Sequence, residues 1–102
     1  MFELNGKVAL VTGARRGMGK AHAEALAKQG AKVAVTDINL AECEEVVAGI
    51  KKNGGEASAW KLDVSNAQEV DGVFGEVAAK FGRLDILINN AGIYEPKKAA
   101  EL

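Results

Sequence analysis

The amino-acid sequence predicts an α/β fold in which a parallel four-stranded sheet is covered by helices on both faces. Short apolar runs alternate with longer helical patterns in the order βαβαβαβ. The strand segments are apolar throughout, which is typical of parallel strands buried on both sides. We expect right-handed crossovers between them. The chain has 102 residues and no linker or repeat, so we expect one domain over residues 1–102.

The first strand is predicted over Lys7–Thr12, a β-rich run that stops at Gly13. The first helix is predicted over Gly17–Gln29, and Gly30 follows in the position after a helix end where glycine is favoured. We expect its inner face to consist of small or apolar residues: Ala21, Ala25 and Leu26.

The second strand is predicted over Lys32–Thr36 and is followed by Asp37. Asn39, with Glu42 three residues later, has the pattern of a capping box at the start of a helix. Apolar residues then recur at helical spacing, at Cys43, Val46, Val47 and Ile50.

The third strand is predicted over Ala57–Leu62 and is followed by Asp63. Ser65 and Gln68 form a second capping-box pattern. The helix that they start is predicted to end at Gly82. Its buried face is predicted to consist of Val70, Val73, Phe74, Val77 and Phe81. The fourth strand is predicted over Leu84–Asn89.

Composition and charge argue against several classes of function. The chain has 13 Lys+Arg and 14 Asp+Glu, a net charge of −1, which gives no bulk attraction to nucleic acid or anionic membranes. Its single cysteine, Cys43, allows neither an internal disulfide nor a zinc site. The sequence shows no signal peptide or transmembrane run. We therefore expect a cytoplasmic protein with no metal, membrane or nucleic-acid partner.

A glycine-rich segment, Thr12–Gly19, joins the first strand to the first helix. Its glycines let the backbone turn sharply, and the helix N-terminus offers free N–H groups and a partial positive charge, both of which suit a pyrophosphate. The spacing is G-x-x-x-G-x-G, which matches neither the Walker pattern nor G-x-G-x-x-G. Because Asp37 ends the next strand, phosphate binding is favoured over a plain turn.

Four features together resemble the short-chain dehydrogenase/reductase family over essentially the whole chain. They are Thr12-Gly13 with Gly17 and Gly19, Asp37, Asp63-Val64, and Asn89-Asn90-Ala91-Gly92. The resemblance implies a Rossmann-type sheet that binds a nicotinamide dinucleotide. It also implies that Asp63 and Val64 hold the adenine, that Asn89 ties the central strands together, and that the residues after it line the adenosine ribose. The cofactor-binding residues are predicted to be Gly13, Arg15, Arg16, Gly17, Met18, Gly19, Asp37, Ile38, Asp63, Val64, Asn90, Ala91 and Gly92.

The choice between NAD and NADP depends on two charged residues. A carboxylate at Asp37 can accept hydrogen bonds from both adenosine-ribose hydroxyls and would repel a 2′-phosphate. Arg16 favours NADP by resemblance, because family members that use NADP often carry a basic residue before the second glycine. It is interpreted either as a 2′-phosphate clamp or as a solvated cation that stacks on the adenine. With Asp37 at the ribose position, we predict NAD.

The family's catalytic pair, Tyr-x-x-x-Lys, has a formal match at Tyr94 and Lys98. That chemistry needs both side chains on one helical face, and Pro96 disfavours a helix there. By resemblance, the catalytic serine, tyrosine and lysine would follow Leu102. No catalytic residue is therefore predicted within this chain.

Three hypotheses for function remain open. The chain is the N-terminal part of an NAD-dependent oxidoreductase whose full-length form acts on an alcohol or ketone, a nucleotide-binding module without catalysis, or a truncated half-domain. The fourth strand would present an open apolar edge, so we also expect self-association and a homo-oligomer.

Overall fold

The computed structural model describes residues 3–90 of the chain. Four strands alternate with three helices in the predicted βαβαβαβ order. The elements are β1 (Val8–Thr12), α1 (Gly17–Lys28), β2 (Lys32–Asp37), α2 (Leu40–Lys52), β3 (Glu56–Lys61), α3 (Ala67–Phe81) and β4 (Ile86–Asn89).

The strands form one parallel sheet in the order β3-β2-β1-β4. The two central strands, β1 and β2, are buried over almost their whole length, as predicted. The prediction of burial on both faces is wrong for β3 and β4, which are half exposed. The reason is their position, because within residues 3–90 each has a neighbouring strand on one side only.

Helices cover both faces of the sheet. On one face, α1 and α2 pack on a core that includes Val11, Val33 and Cys43. On the other face, α3 places Val73 and Val77 against the opposite side chains of the central strands. The α/β fold with a doubly covered parallel sheet is thus confirmed.

The inner face of α1 differs from the predicted one. Its buried residues are Gly19, Ala23 and Ala27, whereas Ala21 and Ala25 are exposed. The helix is rotated in this way because Gly19 lies directly against the backbone of Gly13 and Ala14. Residues four positions apart then follow it along the same face.

The helix starts follow the predicted chemistry, with one shift in position. The Asn39 side chain accepts a hydrogen bond from the Glu42 backbone N–H at 3.1 Å, as predicted for α2. For α3 the predicted cap at Ser65 is wrong, because Asn66 accepts from the Glu69 N–H at 3.1 Å. Ser65 instead donates its own N–H and hydroxyl to a neighbouring carboxylate.

A carboxylate fastens the start of β4 to the start of β1. Asp85 accepts a hydrogen bond from the Val8 N–H at 2.9 Å and returns one from its own N–H to the Val8 carbonyl oxygen at 2.9 Å. Arg83 donates to the same carboxylate. The pKa of Asp85 is lowered, mainly by the bond from Arg83 and next by the bond from the Val8 N–H.

Candidate functional site

An open cleft lies at the carboxyl ends of the three strands β1, β2 and β3. Its cavity volume is about 190 Å³. Ligands of open parallel α/β sheets bind at this edge, beyond the carboxyl ends of the strands. The residues that line it are Gly13, Asp37, Ile38, Leu62, Asp63 and Val64.

Five of these six residues are among those predicted to bind a cofactor, so the fold brings together positions that are far apart in the sequence. The sixth, Leu62, was missed. Its side chain is buried and belongs to the core under α3. The sequence could have indicated Leu62, because it is the last apolar residue before Asp63. A buried residue at the end of a strand can also line the cleft that lies beyond that end.

The glycine-rich turn between β1 and α1 has a backbone that requires its glycines. Gly13 and Gly17 have φ angles of 62° and 63°, in the left-handed region that other residues rarely adopt. A Cβ at Gly19 would overlap the carbonyl oxygen of Gly13. The turn is also bound to β2, because the Ala14 N–H donates to the Thr36 carbonyl oxygen at 3.0 Å.

The N-terminus of α1 has no side-chain cap and no acidic residue in its first turn. The cap position is occupied by Arg16, which is exposed. The first-turn N–H groups therefore keep their partial positive charge without a protein carboxylate beside them. Met18 is also in this turn and is 70% exposed.

Asp37 is fixed at the end of β2 by two backbone N–H groups. Its carboxylate accepts from Ile38 at 2.6 Å and from Arg15 at 3.2 Å. The Arg15 guanidinium adds an ion pair, with Nε 3.4 Å from an Asp37 oxygen. The arginine that contacts this carboxylate is therefore Arg15. Arg16 is exposed, and its exposure does not distinguish a 2′-phosphate clamp from a solvated cation.

Asp63 lies two residues beyond the end of β3 and lines the cleft. One oxygen, Oδ1, accepts from the Ser65 hydroxyl at 2.6 Å and from the Ser65 N–H at 3.0 Å. These two bonds lower the pKa of Asp63. Within residues 3–90, the other oxygen of Asp63 has no donor and the Val64 N–H has no acceptor.

The carboxyl end of β4 is joined to β1 through Thr12. The Thr12 hydroxyl is 2.9 Å from the Asn89 side-chain oxygen and accepts from the Asn90 N–H at 2.9 Å. Asn89 therefore links β1 to β4, which is the outer strand of the sheet within residues 3–90, and not the two central strands β1 and β2 to each other. The predicted residues Ala91 and Gly92 lie outside the described residues, as do Tyr94 and Lys98.

Within residues 3–90, no group of three or more His, Cys, Asp or Glu side chains could hold a metal ion. None of the helices in this part of the chain is long and apolar enough to cross a membrane.

Comparison with known proteins gives consistent matches. A sequence model of the family described as short chain dehydrogenase matches residues 7–102. The chain is 44% identical over 101 residues to D-threitol dehydrogenase of Mycolicibacterium smegmatis, covering 99% of this chain and 39% of that protein. It is 51% identical over 94 residues to 3-oxoacyl-(acyl-carrier-protein) reductase of Synechocystis sp., covering 91% of this chain and 38% of that protein.

The fold is similar to that of a solved structure. The crystal structure of hydroxysteroid dehydrogenase from Escherichia coli superposes with a TM-score of 0.87 and 42% sequence identity. The match covers 94% of this chain and 41% of that one. The chain spans about a third to two fifths of the length of the curated relatives that it matches.

Proposed function

The chain belongs to the short-chain dehydrogenase family, and we propose that its cleft binds the adenosine half of NAD. The family uses nicotinamide dinucleotides, NAD or NADP. The observation that carries the proposal is the convergence of Gly13, Asp37, Ile38, Asp63 and Val64 on one cleft at the carboxyl ends of three strands.

Each part of the dinucleotide has a matching group in the cleft. Asp37 accepts hydrogen bonds from the adenosine-ribose hydroxyls. The turn and the uncapped N-terminus of α1 hold the pyrophosphate, where Gly19 lets the backbone approach closely. The free oxygen of Asp63 and the N–H of Val64 hold the adenine. The full proposed set is Gly13, Arg15, Arg16, Gly17, Met18, Gly19, Asp37, Ile38, Asp63, Val64, Asn90, Ala91 and Gly92.

NAD rather than NADP follows from the charges beside Asp37. A 2′-phosphate on the ribose would approach a carboxylate that two backbone N–H groups hold in place. The nearest cation, Arg15, is already paired with that carboxylate and with a second one at Glu42. The exposed Arg16 is left to contact the adenine or the solvent.

The longer protein transfers a hydride between NAD and an alcohol or ketone, which is the reaction class of the family. The 102-residue chain by itself binds the cofactor and does not turn over substrate. The one Tyr-x-x-x-Lys match contains Pro96, which disfavours a helix that would place both side chains on one face.

A calorimetric titration of NADH and NADPH into the 102-residue chain tests this function. We expect saturable binding of NADH, with NADPH weaker. In Asp37→Asn the loss of a charged acceptor should weaken NADH by roughly tenfold and reduce the preference for NADH over NADPH.

Asp71→Asn is the matched control, because it removes the same charge from an exposed position on α3. Its binding of NADH should equal that of the unchanged chain. Absence of NADH binding in a folded sample, or tighter binding of NADPH, would contradict the proposal.

A further inference from the structure

A chain of polar contacts connects the cleft to the start of α2. The Arg15 guanidinium lies between two carboxylates, with Nε 3.4 Å from Asp37 and Nη1 3.4 Å from Glu42. The other oxygen of Glu42 accepts from the Asn39 side-chain amide at 3.4 Å. Glu42 itself does not line the cleft.

The geometry restricts the position of Arg15. A lone arginine on a loop samples many rotamers, and ordering such a side chain has an entropic cost. Here contacts on both sides hold the guanidinium, and its side chain is only 26% exposed. Two of its nitrogen atoms, Nε and Nη1, each lie 3.4 Å from a carboxylate oxygen of this chain.

The charges have a consequence for a bound nucleotide. Asp37, Glu42 and Arg15 together carry one net negative charge beside the proposed ribose position. A 2′-phosphate adds up to about two negative charges there. Without Glu42, the same group would be neutral overall, and an arginine released on one side could form a bidentate contact with the phosphate.

We propose that Glu42 is a positioning residue that sets cofactor specificity: it holds Arg15 against Asp37 and thereby excludes the 2′-phosphate of NADP. This inference rests on the proposed function, because it requires the dinucleotide to occupy the cleft. It assigns discrimination to a side chain outside the cleft, through its contact with Arg15.

Glu42→Gln isolates this role, because it removes the charge and preserves the helix start. Glutamine suits the residue three positions after the cap in a capping box as well as glutamate does. The Asn39 side chain still accepts from the backbone N–H of residue 42, since that bond does not involve the substituted side chain. The matched control is Glu45→Gln, which removes an exposed charge from the same helix.

The experiment measures the dissociation constants of NADH and NADPH by calorimetry for the 102-residue chain and its variants. In Glu42→Gln we expect the ratio of the NADPH constant to the NADH constant to fall roughly five- to tenfold. The NADH constant itself should change less than about twofold, since no ribose contact is removed. Glu45→Gln should leave both constants unchanged.

A double variant tests the route through Arg15. Adding Arg15→Gln to Glu42→Gln should abolish the gain in NADPH affinity, because the released arginine is what binds the phosphate. Higher salt should also reduce the gain, since the effect is electrostatic.

The outcomes separate the two proposals. If the unchanged chain binds neither dinucleotide, both the proposed function and this inference are overturned. If it binds NADH but the ratio in Glu42→Gln equals that in Glu45→Gln, only this inference is overturned. A gain that survives Arg15→Gln also overturns it, because Arg15 would then play no part.

Discussion

The Asp37 carboxylate joins two backbone segments that meet at the cleft, through the N–H groups of Arg15 and Ile38. Its position at the end of β2 could be predicted from the sequence, because an acidic residue directly follows an apolar run. Its partner could not. Two consecutive arginines precede Gly17, and the turn geometry alone directs Arg15 to the carboxylate and Arg16 to solvent.

Cys43 gives a test at the scale of one residue. Its side chain is fully buried, and burial, with the negative charge of Asp37 as the second cause, raises the pKa of the thiol to about 12. We expect alkylation by iodoacetamide at pH 8 to be slower in the folded chain than in urea, on the order of a thousandfold, because little thiolate forms. Equal alkylation rates in buffer and in urea would show that solvent reaches Cys43 between α2 and the sheet in the folded chain.

The helices show which features of an element a sequence can determine. Asn39, Cys43 and the later apolar residues of α2 are placed as predicted, because cap and apolar spacing agree. In α3 two good capping residues are adjacent, and Asn66 caps the helix because Ser65 is bound to Asp63. In α1 alanines occur on several faces, so a tertiary contact at Gly19 decides which face is buried.

Helix α3 offers a test of stability at the scale of the element. A Cβ at Gly72 would meet nothing within 4 Å, so the glycine weakens the helix without serving a contact. We expect Gly72→Ala to raise the free energy of unfolding by about 1 kcal/mol, measured by urea denaturation.

Gly82, the residue that follows the last residue of this helix, provides the opposite case. It ends α3 with a φ angle of 87°, a conformation that alanine adopts only with strain. Gly82→Ala should therefore lower the free energy of unfolding by about 1 kcal/mol. A Gly72→Ala variant that is less stable than the unchanged chain would contradict the packing described for this helix.

At the scale of the whole molecule, the alternation of apolar runs and helical patterns predicted the parallel sheet and its two helical layers. The exposure of β3 and β4 was not predicted, because it depends on the strand order β3-β2-β1-β4. Local patterns describe each strand but do not say which strands have two neighbours. The position of the cleft could be predicted from the same alternation, because the residues that line the cleft follow the ends of successive strands.

The edge at β4, which no other strand of residues 3–90 covers, leads to a proposal about assembly. Leu87 on this strand is 50% exposed, and an apolar edge strand can pair with another chain. We expect the 102-residue chain to self-associate with rising concentration in sedimentation velocity, and Leu87→Lys to shift it toward monomer. Ala79→Lys, which adds the same charge on α3, should leave association unchanged. A monomeric unchanged chain at high concentration would refute this.

A nuclear magnetic resonance titration of the isotopically labelled chain with NADH tests dinucleotide binding at the level of single residues. We expect the largest amide shifts at Gly13, Ile38 and Val64, around the carboxyl ends of the strands. Gly54 and Gly55, at the opposite end of the sheet, should not shift. Shifts centred on those two glycines, or none in a folded sample, would contradict the claim that this cleft binds the dinucleotide.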